Sequence, residues 1–74
     1  MRITYDAEVD ALYVRFADTT VTTQEVAEGI AVEYAADGSI AGIEVLDAGK
    51  RFKDPNALRR VVLEEIGLAN PAGA

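Results

Sequence analysis

The sequence predicts an α+β fold: an antiparallel β-meander of four or five strands with one C-terminal helix packed on a sheet face. Three observations carry that expectation. Apolar and polar residues alternate with period two through much of the first fifty positions, Asp37-Gly38 sits between two such runs, and Asp54-Pro55 opens a stretch whose apolar residues recur every three or four positions.

Arg2-Ile3-Thr4-Tyr5 alternates polar and apolar, and Leu12-Tyr13-Val14-Arg15-Phe16 does so again across the acidic connection Asp6-Ala7-Glu8-Val9-Asp10. The two runs form a hairpin with Ile3, Tyr5, Leu12, Val14 and Phe16 on one face, and Tyr13 and Arg15 on the other. Val21 to Val26 is rich in Thr and Val with little amphipathic contrast, which suits an edge strand. Ile30, Val32 and Tyr34 share one face of the next strand. Asp37-Gly38 supplies the residues that tolerate a left-handed backbone in a tight turn. A two- or four-residue turn sets Ala41, Ile43 and Val45 of the returning strand, Ile40 to Leu46, on the side of Ile30, Val32 and Tyr34. A three-residue turn buries Glu44 instead, so the even turn is expected. Asp54 is an N-cap with proline at the first helical position, and Leu58, Val61, Val62 and Ile66 make an apolar stripe that Gly67 ends. The expected organisation is one domain over 1–74, with a sheet region at 1–50, a helix at 54–67 and a tail at 68–74.

A chain of 74 residues, half of them hydrophobic, has room for one core. That core is so small that it must be nearly fully buried or completed by a partner chain. With no Cys and no His, disulfides, thiolate zinc sites and the commonest general base are all excluded. The net charge of −6 divides unevenly: residues 1–49 carry ten acidic side chains against Arg2 and Arg15, a local charge of −8, while residues 50–74 carry +2. An acidic body repels phosphate backbones and anionic membranes, so neither nucleic acid nor a membrane is the expected partner. Without an apolar leader or a run long enough to span a bilayer, the expected location is cytoplasmic.

The strings Ile3-Thr4-Tyr5-Asp6, Glu8 to Phe16, Gly29 to Tyr34 and Asp37 to Ala48 resemble domain of unknown function family 2283 over about the first fifty residues. One departure is Ala7, where the family often has proline. The resemblance implies a small bacterial protein. The placement of some members beside genes for toxins related to bacterial ribonucleases implies an antitoxin role.

Candidate chemistry is sparse. Asp6, Glu8 and Asp10 alternate like the first ligands of a calcium loop, but Ala11 stands where the turning glycine belongs and Ala17 where the closing glutamate belongs. No metal, cofactor or catalytic residue is expected. Glu33 and Glu44 are close enough across the second hairpin to act as an acid–base pair, yet glutamates on the wet face of a strand are ordinary solubilising residues. Lys50, Arg51, Lys53, Arg59 and Arg60 around Phe52 form a solvated rim better than a nucleic-acid site. The least bland surface is the outer sheet face, where Tyr13, Arg15, Glu33, Ile40 and Glu44 are the expected partner-binding residues.

Two functions follow: a non-enzymatic module, antitoxin-like, that masks a basic protein with its acidic sheet, and a homo-oligomeric structural protein. Self-association as a dimer that buries an edge strand and the outer patch is expected in either case. Because the Asp6, Glu8 and Asp10 ligand set is incomplete, millimolar calcium or magnesium should leave the melting temperature unchanged. A rise abolished by Asp6→Ala would contradict this.

Overall fold

The computed structural model describes residues 1–65 together with Gly67. Among them, five strands form one antiparallel sheet: β1 (Arg2–Asp6), β2 (Ala11–Arg15), β3 (Thr22–Ala27), β4 (Ile30–Tyr34) and β5 (Ile40–Leu46), followed by a short helix, α1 (Ala48–Phe52). The strand order is β1-β2-β5-β4-β3, so the antiparallel sheet is present but its connectivity is not a meander. β5 enters between β2 and β4, which gives β2, β5, β4 and β3 the arrangement of a Greek key. The reason lies in side-chain content. β5 is the longest and most apolar strand, and a central position satisfies both of its hydrogen-bonding edges. The polar β1 and the Thr- and Glu-bearing β3 tolerate open edges.

Directly opposed residues share a face, so the register can be followed across the sheet. Ile3, Val14, Ile43, Val32 and Gln24 form one row, and Tyr5, Leu12, Val45, Ile30 and Ala27 form the next. Neither row contains a carboxylate, ammonium or guanidinium group. On the opposite face Thr4, Tyr13, Glu44, Ala31 and Glu25 form one row, and Arg2, Arg15, Gly42, Glu33 and Thr23 form another.

The β4–β5 connection corrects the expected even turn. The Ala35 N–H donates to the Ser39 carbonyl and the Gly38 N–H to the Ala35 carbonyl, both at 2.9 Å. The loop is therefore Ala36-Asp37-Gly38, with Gly38 in the left-handed region at φ 86°. A three-residue loop alone would turn the returning strand over. A β-bulge cancels that shift: Tyr34 pairs with Ile40 and Glu33 with Gly42, leaving Ala41 as the extra residue. Ile43 and Val45 thus face the expected side by a different route. Asp37 holds the loop by accepting the Ser39 hydroxyl at 2.6 Å and the Ser39 N–H at 2.9 Å, and these bonds hold its carboxyl below the usual range.

The expected helix over 54–67 does not form among the described residues. Residues 55–59 are turns and 60–64 have no regular structure; Ile66 and the tail at 68–74 lie outside the described residues. Asp54 caps a turn instead: its carboxylate accepts the Asn56 N–H at 2.9 Å, and the Ala57 N–H reaches the Asp54 carbonyl at 3.0 Å. A short helix needs a surface against which to lay its stripe. Val61, Val62 and Leu63 remain exposed, and β-branched Val61-Val62 adds little intrinsic preference for helix. The consequence is a sheet that the described residues leave without a covering layer. Among the described residues Ala41 and Ala48 are the buried apolar residues, and no larger side chain is fully buried.

α1 is held instead at the end of the sheet, where it ties two hairpin turns to the end of β5. Left-handed residues flank it, Asp47 at φ 53° and Lys53 at φ 55°. From the β1–β2 turn, the Asp10 carbonyl accepts the Ala48 N–H at 2.9 Å and the Asp10 carboxylate accepts the Gly49 N–H at 2.8 Å. The Tyr5 hydroxyl donates to the same carboxylate at 2.6 Å. From α1, Arg51 Nε donates to the Leu46 carbonyl at 2.8 Å, and Arg51 Nη2 donates to the Glu28 carbonyl in the two-residue β3–β4 turn. Gly29 of that turn has φ 76°, and a Cβ there would collide with the Arg51 guanidinium.

Two outcomes follow from this clasp. Arg51→Ala should lower the thermal midpoint by several degrees, because charge-assisted bonds at an exposed site contribute about 1 kcal/mol and that shifts a domain of this size by about 4–8 °C. Arg51→Lys should not restore it, since an ammonium does not span both carbonyls as a planar fork does. Circular dichroism melts check this, and an unchanged midpoint for Arg51→Ala would contradict it. The second outcome concerns acid. The Tyr5 hydroxyl, with the Gly49 N–H, holds the Asp10 carboxyl below its ordinary range. Its contribution is fully present above the usual carboxylate pKa and is lost as pH falls through the depressed one. Asp10→Asn should therefore flatten the acid limb of the stability curve, and an unchanged limb would contradict the assignment.

Candidate functional site

The polar face is built by strand alternation. Tyr13 and Arg15 leave β2 on the side away from Leu12 and Val14, Glu44 leaves β5 beside Tyr13, and Glu33 leaves β4 opposite Gly42. Four of the five expected residues, Tyr13, Arg15, Glu33 and Glu44, are therefore brought onto one face. Ile40 is not. Because it pairs with Tyr34 through the bulge, it lies on the apolar side, and its expected place beside Glu33 and Glu44 is corrected.

Gly42 is the structural condition for the network on this face. The Tyr13 hydroxyl donates to Glu33 Oε1 across β5, above the position where a residue 42 side chain would stand. A Cβ on Gly42 would fall 2.8 Å from Glu33 Oε1, 3.1 Å from the Val14 carbonyl oxygen and 3.2 Å from Tyr13 Cε1. Arg15 completes the chain. Its guanidinium carbon lies 5.3 Å from the Tyr13 ring centroid, Nη2 donates to the Tyr13 hydroxyl oxygen at 3.4 Å, and Nη1 pairs with Asp18 at 3.0 Å. The Tyr13 contact, followed by the nearby Asp18 and Glu33 charges, favours the charged guanidinium.

Charge on the face is partitioned. Arg2 and Arg15 lie on β1 and β2, whereas Glu44, Glu33 and Glu25 lie on β5, β4 and β3. An open concavity of about 430 Å³ lies on the β1–β2 side, between Arg2 and Arg15 at one end and Asp6 at the other, with Tyr13 and Glu44 in its lining. Asp18 and Gly42 escaped the sequence expectation. A glycine inside a strand signals close approach of neighbouring groups and could have pointed to Gly42; Asp18 has no comparable signal.

The arrangement offers binding chemistry. Glu33 and Glu44 oppose Gly42 and Ala31 respectively and so stand diagonally, and Glu33 is engaged by Tyr13. The loop carboxylates are also committed: Asp10 accepts Tyr5 and Gly49, and Asp6 accepts the Glu8 N–H at 3.0 Å. Among the described residues no group of three metal-ligating side chains converges. Of the basic side chains near Phe52, Arg51 is spent on backbone carbonyls. No helix among the described residues is long and apolar enough to cross a membrane.

No curated protein and no solved structure matches the chain. A family model described as "Protein of unknown function (DUF2283)" matches residues 2–48, which takes in all five strands and the first residue of α1. With well over half of its length matched, the chain belongs to that family.

Proposed function

We propose that the chain is a non-catalytic binding module of the cytoplasm, antitoxin-like, that engages a basic protein through the acidic half of its polar sheet face. The observation that carries this reading is the partition of charge: Glu25, Glu33 and Glu44 project from three neighbouring strands, with the basic residues of the face confined to β1 and β2. Glu44 and Glu25 stand two strands apart in one row, about 9–10 Å, and Glu33 lies diagonally between them on β4, a spacing at which a cationic cleft meets all three. The Tyr13 hydroxyl orders Glu33, so one contact group is preorganised before encounter. Such a surface accelerates association with a positive partner and weakens as salt rises. Nucleic acid is disfavoured by the same charge.

Affinity capture from the native host, followed by kinetics on the captured protein, tests the reading. The expected result is a stoichiometric basic partner whose association slows at least tenfold in the Glu33→Lys, Glu44→Lys double variant and as salt is raised, with strand content unchanged. Association at the parent rate, or tight binding of RNA by the parent chain at physiological salt, would contradict it.

A further inference from the structure

We infer that the apolar face of the sheet is the interface of a homodimer, two copies packing face to face as a β-sandwich. This does not rest on the proposed partner, which concerns the opposite face. The face is centred on Val14, Ile43 and Val32, flanked by Leu12, Val45 and Ile30, and bordered by Ile3 and Tyr5. These central side chains are only half-buried, Ile3 and Tyr5 are 43% and 40% exposed, and α1 buries Ala48 alone. Five strands about 4.8 Å apart and five or more residues long present on the order of 400 Å² in flat projection. Side-chain relief raises the accessible area above that. A face-to-face pair covers about 800 Å² in flat projection, so with side-chain relief the accessible area it buries is on the order of the ~1,200 Å² at which specific interfaces begin.

A second copy is the occupant for two reasons. First, cover for this face is a condition of folding, since no described side chain larger than alanine is buried without it, and another copy is present wherever the chain is made. Second, the rows of the face hold no charged group, and the carboxylate that meets its border, Asp10, is already bonded by the Tyr5 hydroxyl and the Gly49 N–H, so a copy meets its own surface without burying an unpaired ion. Sandwiching the polar face would instead bury Arg2, Arg15, Glu25, Glu33 and Glu44 twice over. Charge repulsion does not oppose the apolar contact. Sheets packed about 10 Å apart hold their outward carboxylates more than about 15 Å from each other, beyond the ~8 Å screening length at physiological salt. The contact therefore falls on the face opposite the outer patch that the alternation alone had suggested, and it leaves two acidic faces directed outward.

The chain contains no cysteine, which makes single-cysteine variants a direct test. The full chain is examined by sedimentation velocity at about 10 µM, and Val14→Cys, Val32→Cys and Ile43→Cys are oxidised beside Thr4→Cys and Thr23→Cys from the polar face. The expected result is a dimer, with at least one apolar-face variant forming intermolecular disulfide tenfold faster than both polar-face variants. A folded monomer, which would mean that the chain's own C-terminal segment or nothing covers the face, would overturn the inference. So would a dimer that cross-links best through Thr4 or Thr23, or a sandwich partner that proves to be a different protein. Sedimentation of the unaltered chain decides the oligomeric state even if a variant fails to fold.

Discussion

A sheet has two faces, and a protein built on a single sheet must find cover for whichever face is apolar. In this chain the described residues supply none: the helix is five residues long and sits at the sheet's end, and the described residues after it run as turns and irregular chain. Backbone ordering costs free energy at every residue, and the compensating term is apolar surface removed from water. Strand pairing alone removes only the flanks of Ile43, Val32 and Val14. Covering their outward surfaces is the largest stabilisation still open to the chain, and a second sheet of identical chemistry would provide it without burying an unpaired charge. The separation of an uncharged face from a charged one is the constraint from which the rest of the molecule follows.

That separation depends on two backbone devices that work as a pair. The Ala36-Asp37-Gly38 loop shifts the β5 register by one residue, and the bulge at Ala41 shifts it back. Without the bulge, Glu44 would enter the apolar face and Ile43 would join the acidic one. Gly42, the next residue, then leaves space for Tyr13 to reach Glu33 across β5. The same short segment thus sets the parity of the apolar face and permits the network on the polar face. At the other end of the sheet, Asp10 and Arg51 fasten α1 to the β1–β2 and β3–β4 turns, so β5, the central strand, is anchored at its end as well.

Much of this was legible from alternation. The pairing of the first two strands, the sharing of a face by Ile3, Tyr5, Leu12 and Val14, and the edge position of the Thr-rich third strand all follow from period two and local polarity. Strand order was not legible, because parity assigns faces and says nothing of neighbours; the apolar content of β5 was the available hint. The turn was misjudged because a loop and a bulge together mimic the parity of an even turn, and that error displaced Ile40 onto the wrong face. The helix failed because Asp54-Pro55 and a three–four spacing describe what a helix could present to a surface, not whether a surface is there to receive it. Of the candidate site, Tyr13, Arg15, Glu33 and Glu44 were accessible through alternation, while Asp18 and the part played by Gly42 depend on side-chain reach across strands.

The dependence of thermal stability on protein concentration tests the central claim most directly. If the apolar face is covered by a second copy and the sheet has no other core, folding and association are one equilibrium, and the midpoint must rise steadily between about 1 and 100 µM. A midpoint that stays constant over that range, with a cooperative transition and full strand signal, would show that a single chain covers its own apolar face and would contradict the account.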